Sequence, residues 1–94
     1  MHFVEAVNEH FNCIIIQGID DPLRAEEIVF AMVRDVWCYR DGVDLICSRP
    51  MLQARVRYGE PDMSSYPDQL YVTAIDSGDF DLIPSGPYRG TWGE

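Results

Sequence analysis

Few residues in this chain have the types and spacing that chemistry requires. Asp76, Asp79 and Asp81, with Gly78 among them, gather hard oxygen donors on a tight turn, as a calcium loop does. Their spacing departs from that of a helix-loop-helix calcium site, and no glutamate follows to give bidentate ligation. A solvated turn, which calls for Asp and Gly in any case, accounts for them better. His10 and Cys13 have two residues between them, and Cys38 with Cys47 would complete four ligands. The second pair is too widely spaced for a zinc knuckle or ribbon. Cys47 would be a nucleophile if Arg49 lowered its pKa and His2 or His10 served as base. Strand alternation instead groups Cys47 with Leu45 and Val43 on a core-facing side, where a free cysteine packs as a small hydrophobe. The sequence has no phosphate-cradling glycine loop, Walker pattern, nucleophile elbow or helical His-Glu pair. The expectation is a non-enzymatic protein without catalytic, cofactor-binding or metal-ligating residues.

Charge is the more informative property. Sixteen acidic residues against seven basic ones give −9 at pH 7, and every basic residue is Arg. Such a balance disfavours direct binding to nucleic acid or an anionic membrane, both of which demand a basic surface. It favours a basic protein partner. Residues 1–23 carry four acids and no arginine, residues 24–59 six arginines against five acids, and residues 60–94 seven acids against Arg89 alone. The acidity therefore lies at the two ends of the chain, which the fold can bring together or keep apart. Interface hot spots favour Trp, Tyr and Arg. Trp37, Tyr39, Arg40, Tyr66, Tyr88, Arg89 and Trp92 are available for that role. The candidate partner-binding set is Glu60, Asp62, Asp68, Asp76, Asp79 and Asp81 with Trp37 and Tyr66.

The elements that must position these residues are partly legible. Asp21 is placed to cap a helix whose first position is Pro22, and the periodicity predicts a long helix over about residues 22–40, stopped by Gly42. Ala25, Ile28, Val29, Met32, Val33 and Val36 form its core face. Leu23, Phe30 and Trp37 form a second apolar line beside it. Cys13–Gln17 is a β-branched run that reads as a central strand under the helix. Residues 2–7 are read as a strand, although Phe3, Val7 and Phe11 also fit a short helix. Val43–Cys47 and Leu52–Tyr58 are read as strands joined through Ser48-Arg49-Pro50. Leu52, Ala54, Val56 and Tyr58 point inward in the second, and Gln53, Arg55 and Arg57 outward. Residues 59–68 are read as an exposed loop. Gln69–Ile75 and Phe80–Ile83 are read as a hairpin around Asp76–Asp79. The sum is a single α+β domain over residues 1–84, a mainly antiparallel sheet of five or six strands with the helix on one face, followed by a poorly ordered tail over 85–94. Three cysteines without regular spacing suggest a reducing compartment, and no apolar run is long enough for a membrane span, so a soluble cytoplasmic protein is expected.

In size, strong acidity and absence of a catalytic motif over its whole length, the chain resembles the small phage-encoded inhibitors of bacterial defence, the anti-CRISPR type. That resemblance implies a phage or mobile-element protein, acting in the host cytoplasm. It would block a basic nucleic-acid-binding site on an effector protein by nucleic-acid mimicry, and it assigns no residue roles of its own. The alternative is a structural or assembly subunit of a phage or bacterial complex, forming a homodimer through the Leu23–Phe30–Trp37 line or through an exposed edge strand.

Overall fold

A computed structural model describes residues 1–82 of the chain. Two strands open it, β1 (His2–Val7) and β2 (Asn12–Ile19), antiparallel to each other. Asn8 shapes the turn between them, its side-chain oxygen accepting from the backbone N–H groups of His10 and Asn12. Helix α1 (Pro22–Arg34) follows, with the Asp21 side chain accepting from the Leu23 N–H at 2.9 Å. After it come β3 (Trp37–Asp41), β4 (Asp44–Ser48), β5 (Gln53–Tyr58), β6 (Tyr71–Asp76) and β7 (Phe80–Leu82).

The strands form two sheets rather than one. The first is mixed and has the order β5-β1-β2-β6, with β2 and β6 parallel; the second has the order β4-β3-β7. The α+β class and the mainly antiparallel pairing agree with the sequence reading, while among the described residues seven strands in two sheets replace the expected single sheet of five or six. β2 is interior in its sheet, as its β-branched run implied, but the helix packs chiefly over β5 and β1 and only marginally over β2. The expected β6–β7 hairpin is a corner instead. A short 3₁₀ turn, Ser77–Asp79, passes the chain from one sheet to the other. β4 and β5 are likewise divided between the sheets.

The helix ends at Arg34, six residues before the expected Arg40. Val33, Val36, Trp37 and Tyr39 are β-branched or aromatic, so the propensity of this stretch opposes continuing the helix. An extended β3 acquires a neighbour on each side, and Trp37 reaches the core from there. Gly42 is not a helix stop. It holds φ 64° as the first of two residues between Asp41 and Asp44, the glycine-first pattern of a type II′ hairpin turn.

The main core lies between the helix, one face of the first sheet and the second sheet. Val4, Ala6, Ile16, Ile19, Ala25, Ile28, Ala31, Met32, Trp37, Met51, Ile75 and Phe80 are buried together. A smaller cluster of Phe3, Cys13 and Ile15 occupies the opposite sheet face and is covered by Tyr66 and Leu70. Residues 59–68 are therefore not simply an exposed loop; their Tyr66 closes a second core. Ala54 and Val56 pack inward as expected, whereas Leu52, just before the edge strand β5, and Tyr58, its last residue, are 70% and 81% exposed. Tyr88, Arg89 and Trp92 and the expected tail lie outside the described residues.

Candidate functional site

The parallel pairing of β2 and β6 decides where the acids go. It aligns Gln17 with Asp76, so that the strands finish side by side. The Ser77 hydroxyl donates to the Gly18 carbonyl at 3.0 Å, tying the two exits together. Asp20 and Asp21, leaving β2, and Asp76 and Asp79, leaving β6, thus share one end of the molecule. β3 runs antiparallel to β7, with Tyr39 opposite Phe80, so Arg40 and Asp41 continue toward the Asp79 turn. The β3–β4 turn adds Asp44, directly opposite Asp41. β5 is antiparallel to β1, and its exit brings Glu60 to the same end of the first sheet.

Seven carboxylates, of Asp20, Asp21, Asp41, Asp44, Glu60, Asp76 and Asp79, therefore converge from distant parts of the sequence, with Arg24 and Arg40 as nearby cations. Asp41, Asp76 and Asp79 line a groove of about 310 Å³ between the two sheets, whose other walls include Gln17, Tyr39, Arg40 and Thr73. Among the described residues the Asp/Glu–Arg ion pairs all involve Glu5, so the carboxylates of this end are not neutralised by arginine contacts. Among residues 1–80 no charged side chain is fully buried, Glu5 being the most enclosed of those in ion pairs with arginine. The arrangement can present several negative charges to an incoming cationic surface.

The remaining candidates are scattered. Asp62 caps the 3₁₀ turn Met63–Ser65. The Ser64 hydroxyl and backbone N–H both donate to its side chain and hold its carboxyl below the usual value. Asp68 lies near the start of β6, at the end opposite Asp76. The Asp81 backbone is in β7 opposite Cys38. Trp37 is fully buried and stacks on Phe80 with ring centroids 5.8 Å apart, which removes it from any surface. Tyr66 is half-buried, and its hydroxyl donates to Glu5 Oε2 at 2.6 Å.

Glu5 is the residue that the sequence reading missed. Its side chain, 11% exposed, also accepts from Arg55 Nε at 2.9 Å and lies 3.6 Å from an Arg57 nitrogen. Burial pushes its carboxyl pKa up, but the Tyr66 and Arg55 hydrogen bonds and the charges of both arginines outweigh that and lower it. The same burial and the bond to Glu5 push the Tyr66 hydroxyl well above its ordinary range. The signal was available in the basic outer face of β5. Antiparallel pairing sets Arg55 opposite Glu5 and Arg57 opposite Phe3, over whose ring the guanidinium lies 5.9 Å from the centroid.

The cysteines also depart from expectation. Cys38 and Cys47 face each other across β3 and β4 and are joined in a disulfide, which occupies the sulfur that a nucleophilic Cys47 would use. Nine residues of spacing gave no framework pattern; the hairpin supplies the proximity. Cys13 is buried in the smaller core, and its thiol pKa is raised to about 11 by burial and by Glu5. His10 and Cys47 do line one cleft with Arg49, but Cys13 is not part of it. Among the described residues no three His, Cys, Asp or Glu side chains are placed to hold a metal ion, and no helix is long and apolar enough to cross a membrane. Comparison with protein-family models found no match, and neither curated proteins nor solved structures yielded one.

Proposed function

We propose that this is a non-enzymatic binding protein whose Asp-rich end occupies a basic, nucleic-acid-binding site on another protein. The kind of protein that fits is a phage or mobile-element inhibitor of a bacterial defence effector, similar to the anti-CRISPR type and acting in the host cytoplasm. The observation that carries the reading is the convergence of Asp20, Asp21, Asp41, Asp44, Glu60, Asp76 and Asp79 at one end of the fold. A basic site evolved for phosphates carries bound anions. Carboxylates fixed on a folded surface can displace them without the protein contacting nucleic acid itself. Arg40 and the Tyr39 ring at the groove add groups that recognise a partner's carboxylates or apolar side chains. In a reducing cytoplasm the Cys38–Cys47 bond would be reversible, opening and closing with the thiol poise.

The test is capture from a bacterial lysate at low salt with release at high salt, followed by competition between the captured protein's nucleic acid and this chain. The doubly reversed variant Asp76→Lys/Asp79→Lys is expected to weaken binding at least about tenfold, while Asp68→Lys at the other end changes it less than about threefold. Binding indifferent to salt, or equally damaged by Asp68→Lys, would sink the proposal.

A further inference from the structure

Among the described residues, strand β4 is an edge left open. It bonds to β3 on one side only, in unbroken register and with no bulge to turn it away. Natural edges are usually blunted by charge, proline or a covering element. Arg55 and Arg57 do this for β5, and the groove wall of Tyr39–Gly42 borders the end of β6. β4 instead shows apolar side chains at successive positions, Leu45 and Ile46 being 39% and 38% exposed, after a Val43 that is 97% exposed.

Its main-chain groups are also aimed outward in a definite pattern. Cys38 and Cys47 lie opposite each other with Cα atoms 4.2 Å apart, the close spacing of a non-hydrogen-bonded antiparallel pair. The N–H and C=O of Cys47, and of Leu45 two residues before it, therefore point away from β3 toward the open edge. The disulfide pins this hairpin, so the edge is held ready for a partner.

From these features we infer that β4 pairs antiparallel with β4 of a second copy, extending the three-stranded sheet across a two-fold axis centred on Ile46. This register places Ile46 opposite its counterpart, Asp44 opposite Ser48, and Leu45 opposite Cys47, giving both outward-facing residues their main-chain partners. A register centred on Leu45 would set Asp44 opposite Ile46, leaving a carboxylate against an apolar chain. Charge selects the second copy as occupant. β4 has Asp44 at one end and Arg49 just past the other, so an antiparallel copy brings the Asp41–Asp44 end of each molecule beside the Arg49 end of its mate. A five-residue strand pair buries less than a standard interface, and the dimer is accordingly weak, with dissociation constants in the range of about micromolar or above.

Sedimentation of the full chain over a concentration series tests this without any basic ligand, and hence independently of whether the acidic end binds a basic partner. Wild type is expected to pass from monomer to dimer. Ile46→Lys and Ile46→Glu, which place like charges face to face across the axis, are each expected to weaken dimerisation on the order of tenfold, and a mixture of the two to restore it. Asp76→Lys/Asp79→Lys should leave the dimer intact. Hydrogen exchange on the unsubstituted chain should show the Leu45 and Cys47 amides gaining protection as concentration rises. A chain that stays monomeric, a dimer unmoved by Ile46→Lys, a mixture that fails to associate, or Leu45 and Cys47 amides indifferent to concentration overturns the inference.

Discussion

Glu5 shows how one carboxylate can organise a sheet face. It lies in the middle of β1, beside Phe3 and Val7 on the face away from the helix, and would be costly there without partners. Arg55, Arg57 and Tyr66 supply them, and the Tyr66 bond also fixes the long connection over the smaller core. Removing that hydroxyl with Tyr66→Phe keeps the ring and loses a charge-assisted bond at a partly solvated site. The expected cost is about 1–2 kcal/mol, measured by denaturant unfolding. The pH dependence has a definite sign. Because the folded Glu5 carboxyl is held below its ordinary value, its stabilisation is complete above that value and is lost as pH falls through the lowered one. The stability advantage of wild type over Glu5→Gln should therefore shrink as pH falls below the ordinary carboxylate value; an unchanged difference would show that Glu5 stabilises only through its shape. A carboxylate in HFVEAV and an Arg-rich face on QARVRY were both visible in the chain. What joined them was the register of two strands separated in the chain by β2, the helix and two strands of the second sheet, and local pattern does not carry that information.

At the scale of elements, local signals fixed starts better than ends. Asp21-Pro22 marks the helix N-terminus because capping is decided within three residues. Its C-terminus depends on a competition between continuing the helix and giving Trp37–Asp41 two strand neighbours, and long-range pairing decides it. Burial then assigns Trp37 to the core. Trp37→Ala is expected to cost about 3–5 kcal/mol in thermal or denaturant unfolding, and a variant near wild-type stability would contradict this packing. The hairpin turn is the other fixed point. Gly42 adopts φ 64° with open space around it, so Gly42→Ala meets no clash, and its cost of about 1–3 kcal/mol comes from the positive φ that the first position of a type II′ turn requires. Reducing the Cys38–Cys47 bond should lower stability by up to about 3 kcal/mol, the upper limit for so short a loop, because the hairpin register already limits the freedom that the bond removes. Unfolding with and without reductant, using Cys38→Ser/Cys47→Ser as the reference, measures it.

For the whole molecule, the sequence showed two acidic termini and left open whether they meet. The answer depends on the direction of one strand. Had β6 run antiparallel to β2, Asp76 and Asp79 would have emerged beside Phe11 and Asn12, and the acids would have been divided between opposite ends. Parallel pairing aligns Asn12 with Tyr71 and Gln17 with Asp76, gathering the Asp76–Asp79 turn with Asp20 and Asp21 and leaving Asp68 behind. Direction of pairing is not written in either strand, since both read as alternating or β-branched runs. The resulting asymmetry predicts kinetics as well as affinity. A concentrated negative end orients an approaching basic protein before contact, and this steering acts mainly on the association rate. Asp76→Asn/Asp79→Asn should therefore slow association severalfold at low ionic strength, change dissociation less, and lose its effect as salt rises and the Debye length falls to about 8 Å near physiological strength. Asp68→Asn carries one neutralisation of the same kind at the far end and should change the rate much less. Stopped-flow association with the captured basic partner separates the cases. Equal slowing by both substitutions would mean that net charge alone attracts the partner, and a change confined to dissociation would place Asp76 and Asp79 in short-range contacts instead of in the steering field.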